Sequence, residues 1–182
     1  IYPCLKEIIN AYESGTDFSI KMDSDGLIMA GSDLDQITWM DVRVGDWVVT
    51  PRHGKPVEIS ALWYNALKVM EKLSRKFGED SSKFTSLSEM VKKSFNEKFW
   101  NEDKNCLYDV VDENDDKVRP NQIWAVSLPY TMLDRDKEKK IVDTVYEELY
   151  TSYGLRTLSY RDKEYVKEYI GPLSKRDAAY HM

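Results

Sequence analysis

The segment from Gln36 to Glu58 holds the densest set of residues able to do chemistry. Asp41 follows Trp39 and Met40 and precedes Val42, so its carboxyl has apolar neighbours along the chain. Taking a carboxyl partly out of water disfavours its charged form. A carboxyl that keeps its proton near neutral pH can donate it to a leaving oxygen, the task of the general acid in glycoside hydrolysis. Trp39 and Trp47 offer flat apolar faces on which the C–H face of a sugar ring can stack. Arg52 and Glu58 supply charge-assisted hydrogen bonds to hydroxyls. A plainer assignment competes with each of these: Asp41 solvates or caps a turn, and the tryptophans pack in the core.

A second polar and aromatic segment runs through Tyr108 and Asp109 to Arg119, Asn121 and Gln122. The last three carry compact hydrogen-bonding groups suited to a neutral polyol, although Asn121 taken alone reads first as a helix N-cap. Gly154–Leu158 and the stretch from Gly171 to His181 complete the set. Asp112, Asn114 and Asp116 imitate the start of a calcium loop, but Lys117 stands where glycine is needed and Ile123 where glutamate is needed, so calcium is rejected there. Glycine patterns for phosphates or dinucleotides do not occur. His53 and His181 are too few for an all-protein metal site, and Cys4 and Cys106 make no zinc or disulfide framework. The sequence therefore predicts neither a metal nor a cofactor, and its cysteine usage fits a reducing, cytoplasmic setting.

The elements that must position these residues are mostly helices. Pro3, Leu5, Ile8, Ile9 and Tyr12 have helical spacing, closed by Gly15. Residues 18–30 change to short alternating runs around Ser24-Asp25-Gly26, a hairpin signal. Residues 31–55 read as a long structured loop. From Pro56 to Phe77, apolar residues recur at i, i+3, i+4 and i+7, with Gly78 as the stop. Phe84, Leu87, Val91, Phe95 and Phe99 mark another helix. Residues 104–112 read as extended, and 121–133 as an apolar stretch that breaks at Pro129. The stripe Ile141, Val142, Val145, Tyr146 and Leu149 predicts a helix capped by Asp134 or Asp136, followed by a loop tail.

Composition sets the outer bounds. The 182 residues are 42% hydrophobic and 32% charged, which suits a folded domain or a piece of one rather than a disordered chain. Lys plus Arg number 26 against 32 Asp plus Glu, a net charge of −6 with no basic stripe, which argues against nucleic acid as a partner. No apolar run approaches the ~20 residues of a membrane span.

Several blocks together resemble a known family. Thr38-Trp39-Met40-Asp41, Thr50-Pro51-Arg52, Gly54–Ile59 and Ala61–Leu67 resemble the amylo-α-1,6-glucosidase part of glycogen debranching enzymes. Arg119–Gln122, Gly154–Leu158 and Arg176–His181 are similar to later blocks, in the same order. The resemblance implies a mainly α fold, a segment of an (α/α)6 toroid of helical hairpins with a small β-hairpin and extended loops whose mouth holds the sugar site. It implies hydrolysis of α-1,6-linked glucose at branch stubs of glycogen or limit dextrin, with inversion, with no cofactor and with Asp41 as the general acid.

An inverting site also needs a second carboxylate about 6.5–9.5 Å from the acid. The resemblance places that base beyond Met182. A full toroid needs roughly twice this length, given helices of ~11–12 residues plus loops. Residues 1–182 are therefore expected to form part of one catalytic domain, inactive alone, with both ends internal to a longer chain. Its uncovered helix faces would favour self-association. Two other readings stay open: another toroid glycosidase of glucoamylase or trehalase type, and a non-catalytic glycan-binding helical module.

Overall fold

The computed structural model describes all 182 residues, Ile1–Met182. The chain is mainly helical, at 43% helix. Helix α1 (Tyr2–Ser14) carries Pro3 in its first turn, where a missing N–H costs nothing, and ends at Gly15 with φ 104°. Strands β1 (Lys21–Met22) and β2 (Ile28–Met29) form the predicted hairpin, in the register Lys21 with Met29. Helix α2 (Val57–Lys76) follows Pro56, and α3 (Ser82–Lys98) returns beside it. Trp63 early in α2 and Ser94 late in α3 both bond the carbonyls of the β1–β2 turn, at Gly26 (3.0 Å) and Asp25 (2.7 Å). The two helices are therefore antiparallel, a helical hairpin closed by a five-residue link.

Helix α1 also runs antiparallel to α2. Tyr2 stacks on Phe77 and its hydroxyl meets Ser74 Oγ at 2.8 Å, whereas Tyr12 lies 6.1 Å from the Trp63 ring. The core between these helices is continuous. It gathers Leu67 and Met70 of α2, Val91 and Phe95 of α3, and Ile141, Val145 and Leu149 of helix α5 (Arg135–Leu149). Asp134 caps α5, its Oδ1 accepting from the N–H groups of Asp136 (3.1 Å) and Lys137 (2.9 Å). The apolar stretch near Pro129 breaks as expected. A 3-10 turn at Pro120–Ile123 runs into the single turn α4 (Trp124–Ser127), which stops before Leu128-Pro129.

Strand content differs from the one small hairpin expected. Besides β1–β2, four further two-residue ladders form. Residues 31–55 contain a hairpin of β3 (Arg43–Val44) and β4 (Trp47–Val48), because Gly45 supplies the positive φ (59°) that its two-residue turn requires. The extended stretch 104–112 splits in two. Strand β6 (Trp100–Asn101) pairs with β7 (Cys106–Leu107), and β5 (Lys55–Pro56) pairs with β8 (Val110–Val111). The β5–β8 approach depends on Gly54, where a Cβ would stand 3.0 Å from the Val111 carbonyl oxygen. Strands β9 (Tyr150–Thr151) and β10 (Gly154–Leu155) make the last ladder. The tail ends in the short helix α6 (Leu173–Ala178), packed on β3. Two-residue strands carry too short an alternation to be read from sequence. No helix is long and apolar enough to cross a membrane.

Candidate active site

Four loops converge at the N-terminal end of α2: residues 36–56, the β7–β8 corner, the 3-10 turn and the C-terminal tail. Their centre is a buried charge cluster. Arg52, at 2% exposure, donates from Nε to Asp109 Oδ2 (2.7 Å) and from Nη2 to Asp109 Oδ1 (3.2 Å) and Glu58 Oε2 (2.6 Å). Its Nη1 bonds Glu58 Oε1 as well. Burial alone would favour a neutral Arg52, but Asp109 and Glu58 outweigh it and hold the guanidinium above its ordinary pKa. Glu58 sits in the first turn of α2, where the helix dipole also favours negative charge.

Asn121 links the cluster to the surface. Its Nδ2 donates to Asp109 Oδ1 at 2.8 Å, and its Oδ1 accepts from Trp39 Nε1 at 2.8 Å. Asn121 is thus not a helix N-cap; Arg119 takes that position, with no side-chain cap bond. Arg119 donates from Nη1 to the carbonyls of Thr157 (3.1 Å) and His181 (2.6 Å), tying the tail over the site, while its Nε has no hydrogen-bond partner. Burial lowers the Arg119 pKa against the pull of Asp109. Gln122 is buried too, accepting from Leu107 N (3.2 Å) and donating to Arg119 O (3.2 Å), so it braces the 3-10 turn against β7.

His181 lies under this tail at 5% exposure and φ 68°, edge-on to Trp39 with ring centroids 4.8 Å apart. Neither ring nitrogen has a hydrogen-bond partner; the Trp39 backbone approaches without reaching bonding geometry. Burial, aided by the Arg119 and Arg52 charges and opposed by Asp41, depresses its pKa to about 4. The imidazole is therefore neutral at pH 7.

The structure brings Trp39, Arg52, Glu58, Asp109, Asn121 and His181 together, but several of these side chains lie at other depths than expected. Asp41 is exposed rather than enclosed by apolar neighbours. The reason is local: Met40, at 1% exposure, takes the inward position against Asn121, leaving Trp39 and Asp41 at the surface. Trp39 and Trp47 are each about half exposed, so neither is a core residue. Arg52, Glu58 and Asp109 bond one another instead of facing open space. Tyr108 is half-buried against the core.

Trp39, Thr157 and His181 line an open cleft of about 350 Å³, together with Tyr165, Tyr169 and Tyr180. Tyr165 and Tyr169 lie in a stretch with no periodic pattern and no motif, so nothing in the sequence marked them, whereas Tyr180 falls within the Arg176–His181 block. A larger and more polar cavity, of about 670 Å³ between Lys104, Glu148 and Arg161, shares no residue with this cleft.

This arrangement can hold a polar ring against aromatic faces beside a surface carboxyl, and the chain architecture has counterparts. A GH78-family rhamnosidase of Bacillus sp. GL1 has a similar fold, with a TM-score of 0.57 at 18% identity over 80% of this chain. The match spans 14% of that structure's chain, so this chain corresponds to a small part of it. No curated protein sequence matches significantly. The family profile for amylo-alpha-1,6-glucosidase matches residues 1–182, and the chain belongs to that family.

Proposed function

We propose that this chain is part of a glycoside hydrolase domain cutting α-1,6-linked glucose from branch stubs of glycogen or limit dextrin, in a reducing, cytoplasmic setting. Helix pairs α2–α3 and α1–α2 support a segment of an (α/α)6 toroid. Asp41 is the general acid: its carboxyl proton passes to the glycosidic oxygen as the C1–O bond breaks. Water adds to C1 from the opposite face and loses its proton to a second carboxylate, which inverts the anomeric centre.

One observation carries the reading. Through the Trp39–Asn121–Asp109 hydrogen bonds, the loop bearing Asp41 is anchored to a buried polar cluster on an otherwise apolar helix layer. Such a cluster fixes loop geometry, as a positioned acid requires. Glu58 and Asp109 are both committed to Arg52, so the base is a carboxylate outside this cluster.

The test is Asp41→Asn in the longest native form of the protein. Glucose release from limit dextrin falls by at least 10³-fold, in line with loss of a general acid, with the circular dichroism spectrum unchanged. Normal release by this variant sinks the assignment, and parallel assays on α-1,4- and α,α-1,1-linked glucosides separate the other toroid glycosidases.

The exposure of Asp41 favours a second reading, a glycan-binding module without turnover. Maltooligosaccharide binding with no glucose release from any linkage would select it. Self-association is part of the proposal as well. Ile8, Tyr12 and Leu62 are exposed along an all-apolar groove of about 220 Å³ between α1 and α2. Light scattering is expected to show a concentration-dependent rise in mass that Leu62→Lys abolishes.

A further inference from the structure

We propose that the chain associates head to tail: the ridge of Val142, Tyr146 and Tyr150 on α5 of one copy seats in the groove between α1 and α2 of the next. The self-association read from that groove underlies this inference, which names the surface of the second copy that enters it. The groove, of about 220 Å³, is lined by eight residues, all of them apolar, among them Ile8, Tyr12 and Leu62. Water held there meets no polar side chain, so an apolar occupant displaces it favourably.

A hollow takes a protrusion. Two grooves laid face to face would enclose empty space, and a void forfeits packing, so the occupant is a convex surface. Helix α5 presents one. Its inward stripe of Ile141, Val145 and Leu149 is spent on the core. One position further round, Val142, Tyr146 and Tyr150 stand exposed at a spacing of four. Rows at that spacing form the ridges that pack into grooves when helices meet. Tyr146 and Tyr150 stack on each other, with ring centroids 5.1 Å apart and planes 20° from parallel. The ridge is therefore ordered before it docks and loses little side-chain freedom. The two faces share no residue, so one copy offers both at once.

Charge does not oppose the contact. Beside the ridge, Lys139 is paired with Asp143 (2.5 Å) and Glu147 with Arg161 (2.6 Å). On α1, Lys6 is paired with Glu79 (2.9 Å) and Glu13 with Lys83 (2.7 Å). Docking therefore strips water from apolar surface and not from lone charges at these positions. Tyr146 is 67% and Tyr150 53% exposed, on the order of 200 Å² between them. That is a fraction of the ~800 Å² per partner of a standard interface, so the contact is reversible and concentration-dependent. Because each partner uses a different face, a groove stays free at one end and a ridge at the other, and growth continues past a pair unless a ring closes.

The test is analytical ultracentrifugation of the chain as it stands and of two surface variants, Leu62→Lys in the groove and Tyr146→Lys on the ridge. Both positions are exposed, so each variant is expected to keep the wild-type circular dichroism spectrum. The wild type gains mass with concentration. Each variant alone associates at least about tenfold more weakly, because burying an unpaired ammonium is costly. An equimolar mixture of the two variants recovers association but stops at two chains. The intact ridge of Leu62→Lys fits the intact groove of Tyr146→Lys, and the two faces left over are both blocked. Association of Tyr146→Lys at wild-type strength, or a mixture no heavier than its components, overturns the head-to-tail contact while leaving the groove reading intact. A wild type that stays a single chain at every concentration overturns both.

Discussion

Trp39 and Asn121 are joined by a 2.8 Å hydrogen bond in which a half-exposed indole donates to a fully buried amide oxygen. The amide nitrogen is spent on Asp109, so neither end of Asn121 is free to meet a ligand. Asn121 thus acts through Trp39. The ion cluster fixes the amide, the amide fixes the indole, and the indole forms one wall of the cleft.

Asn121→Ala leaves Asp109 Oδ1 short of a donor and the indole N–H without its acceptor. Leaving buried partners unsatisfied costs about 1–3 kcal/mol, measurable by urea denaturation. The Trp39 indole resonance is expected to shift and broaden. Asn121→Asp is the sharper variant, because it sets a second carboxylate at hydrogen-bond distance from Asp109 and must destabilise more than alanine does. Equal effects of the two variants, or an unmoved indole signal, would show that the amide holds nothing.

The same side chains show how far the sequence could be read. Helical spacing placed α2, α3 and α5 because each buries a stripe, as Leu67 and Met70 do beside Val91 and Phe95. Helix α1, by contrast, buries only Ile9 and leaves Ile8 and Tyr12 exposed, as α5 leaves Val142 and Tyr146. The site segments were legible by type, since Trp39, Arg52, Asp109 and Asn121 do meet. Their depth was not legible. Whether Arg52 faces a ligand or two carboxylates depends on which loops fold onto the start of α2, and Glu58 and Asp109 lie 51 positions apart. The expected enclosure of Asp41 fails for a related reason: apolar neighbours along the chain do not enclose a residue whose preceding neighbour, Met40, has taken the inward position.

His181 gives a pH signature with a definite sign. Its folded pKa is about 4, against an ordinary value of 6.5, under the influence of burial, Arg119 and Arg52, with Asp41 opposing. Between those values the unfolded chain takes up a proton that the folded chain refuses. Stability therefore falls as pH drops from about 6.5 to about 4, by at most ~1.4 kcal/mol per pH unit. Carboxylates add their own dependence, so the measurement is a difference. Urea midpoints are taken for the wild type and His181→Gln at pH 7.5, 6, 5 and 4. The variant's deficit is expected to shrink toward pH 4, and a deficit constant across the series would place the imidazole in water.

Lys55 supplies the last prediction. Its ammonium is 3% exposed and meets Asp23 (2.7 Å), Asp25 (2.9 Å) and Asp112 (3.3 Å), joining the β1–β2 turn to the turn after β8. Lys98 also reaches Asp25, at 2.5 Å. Burial opposes the Lys55 charge, but Asp23 and Asp25 overcome it and hold the proton more firmly than usual. In return the Asp23 carboxyl is pulled below its ordinary pKa by Lys55, and Asp25 is pulled down by Lys98 and Lys55 against its own burial. Lys55→Met keeps the stem volume and removes the charge, leaving three carboxylates facing one another with only Lys98 nearby. At pH 7 the variant should lose about 1–3 kcal/mol, less than a wholly buried pair because Asp23 and Asp112 reach water. Carboxylates with depressed folded pKa values stabilise above their unfolded value of 3.8 and lose that contribution as pH falls through the folded one. The gap between wild type and Lys55→Met must therefore narrow once pH drops below 3.8, and go on narrowing as the aspartates take up protons at their lowered folded pKa values. A gap that does not narrow at all below that pH would mean that packing of the lysine stem, and not its charge, holds the two turns together.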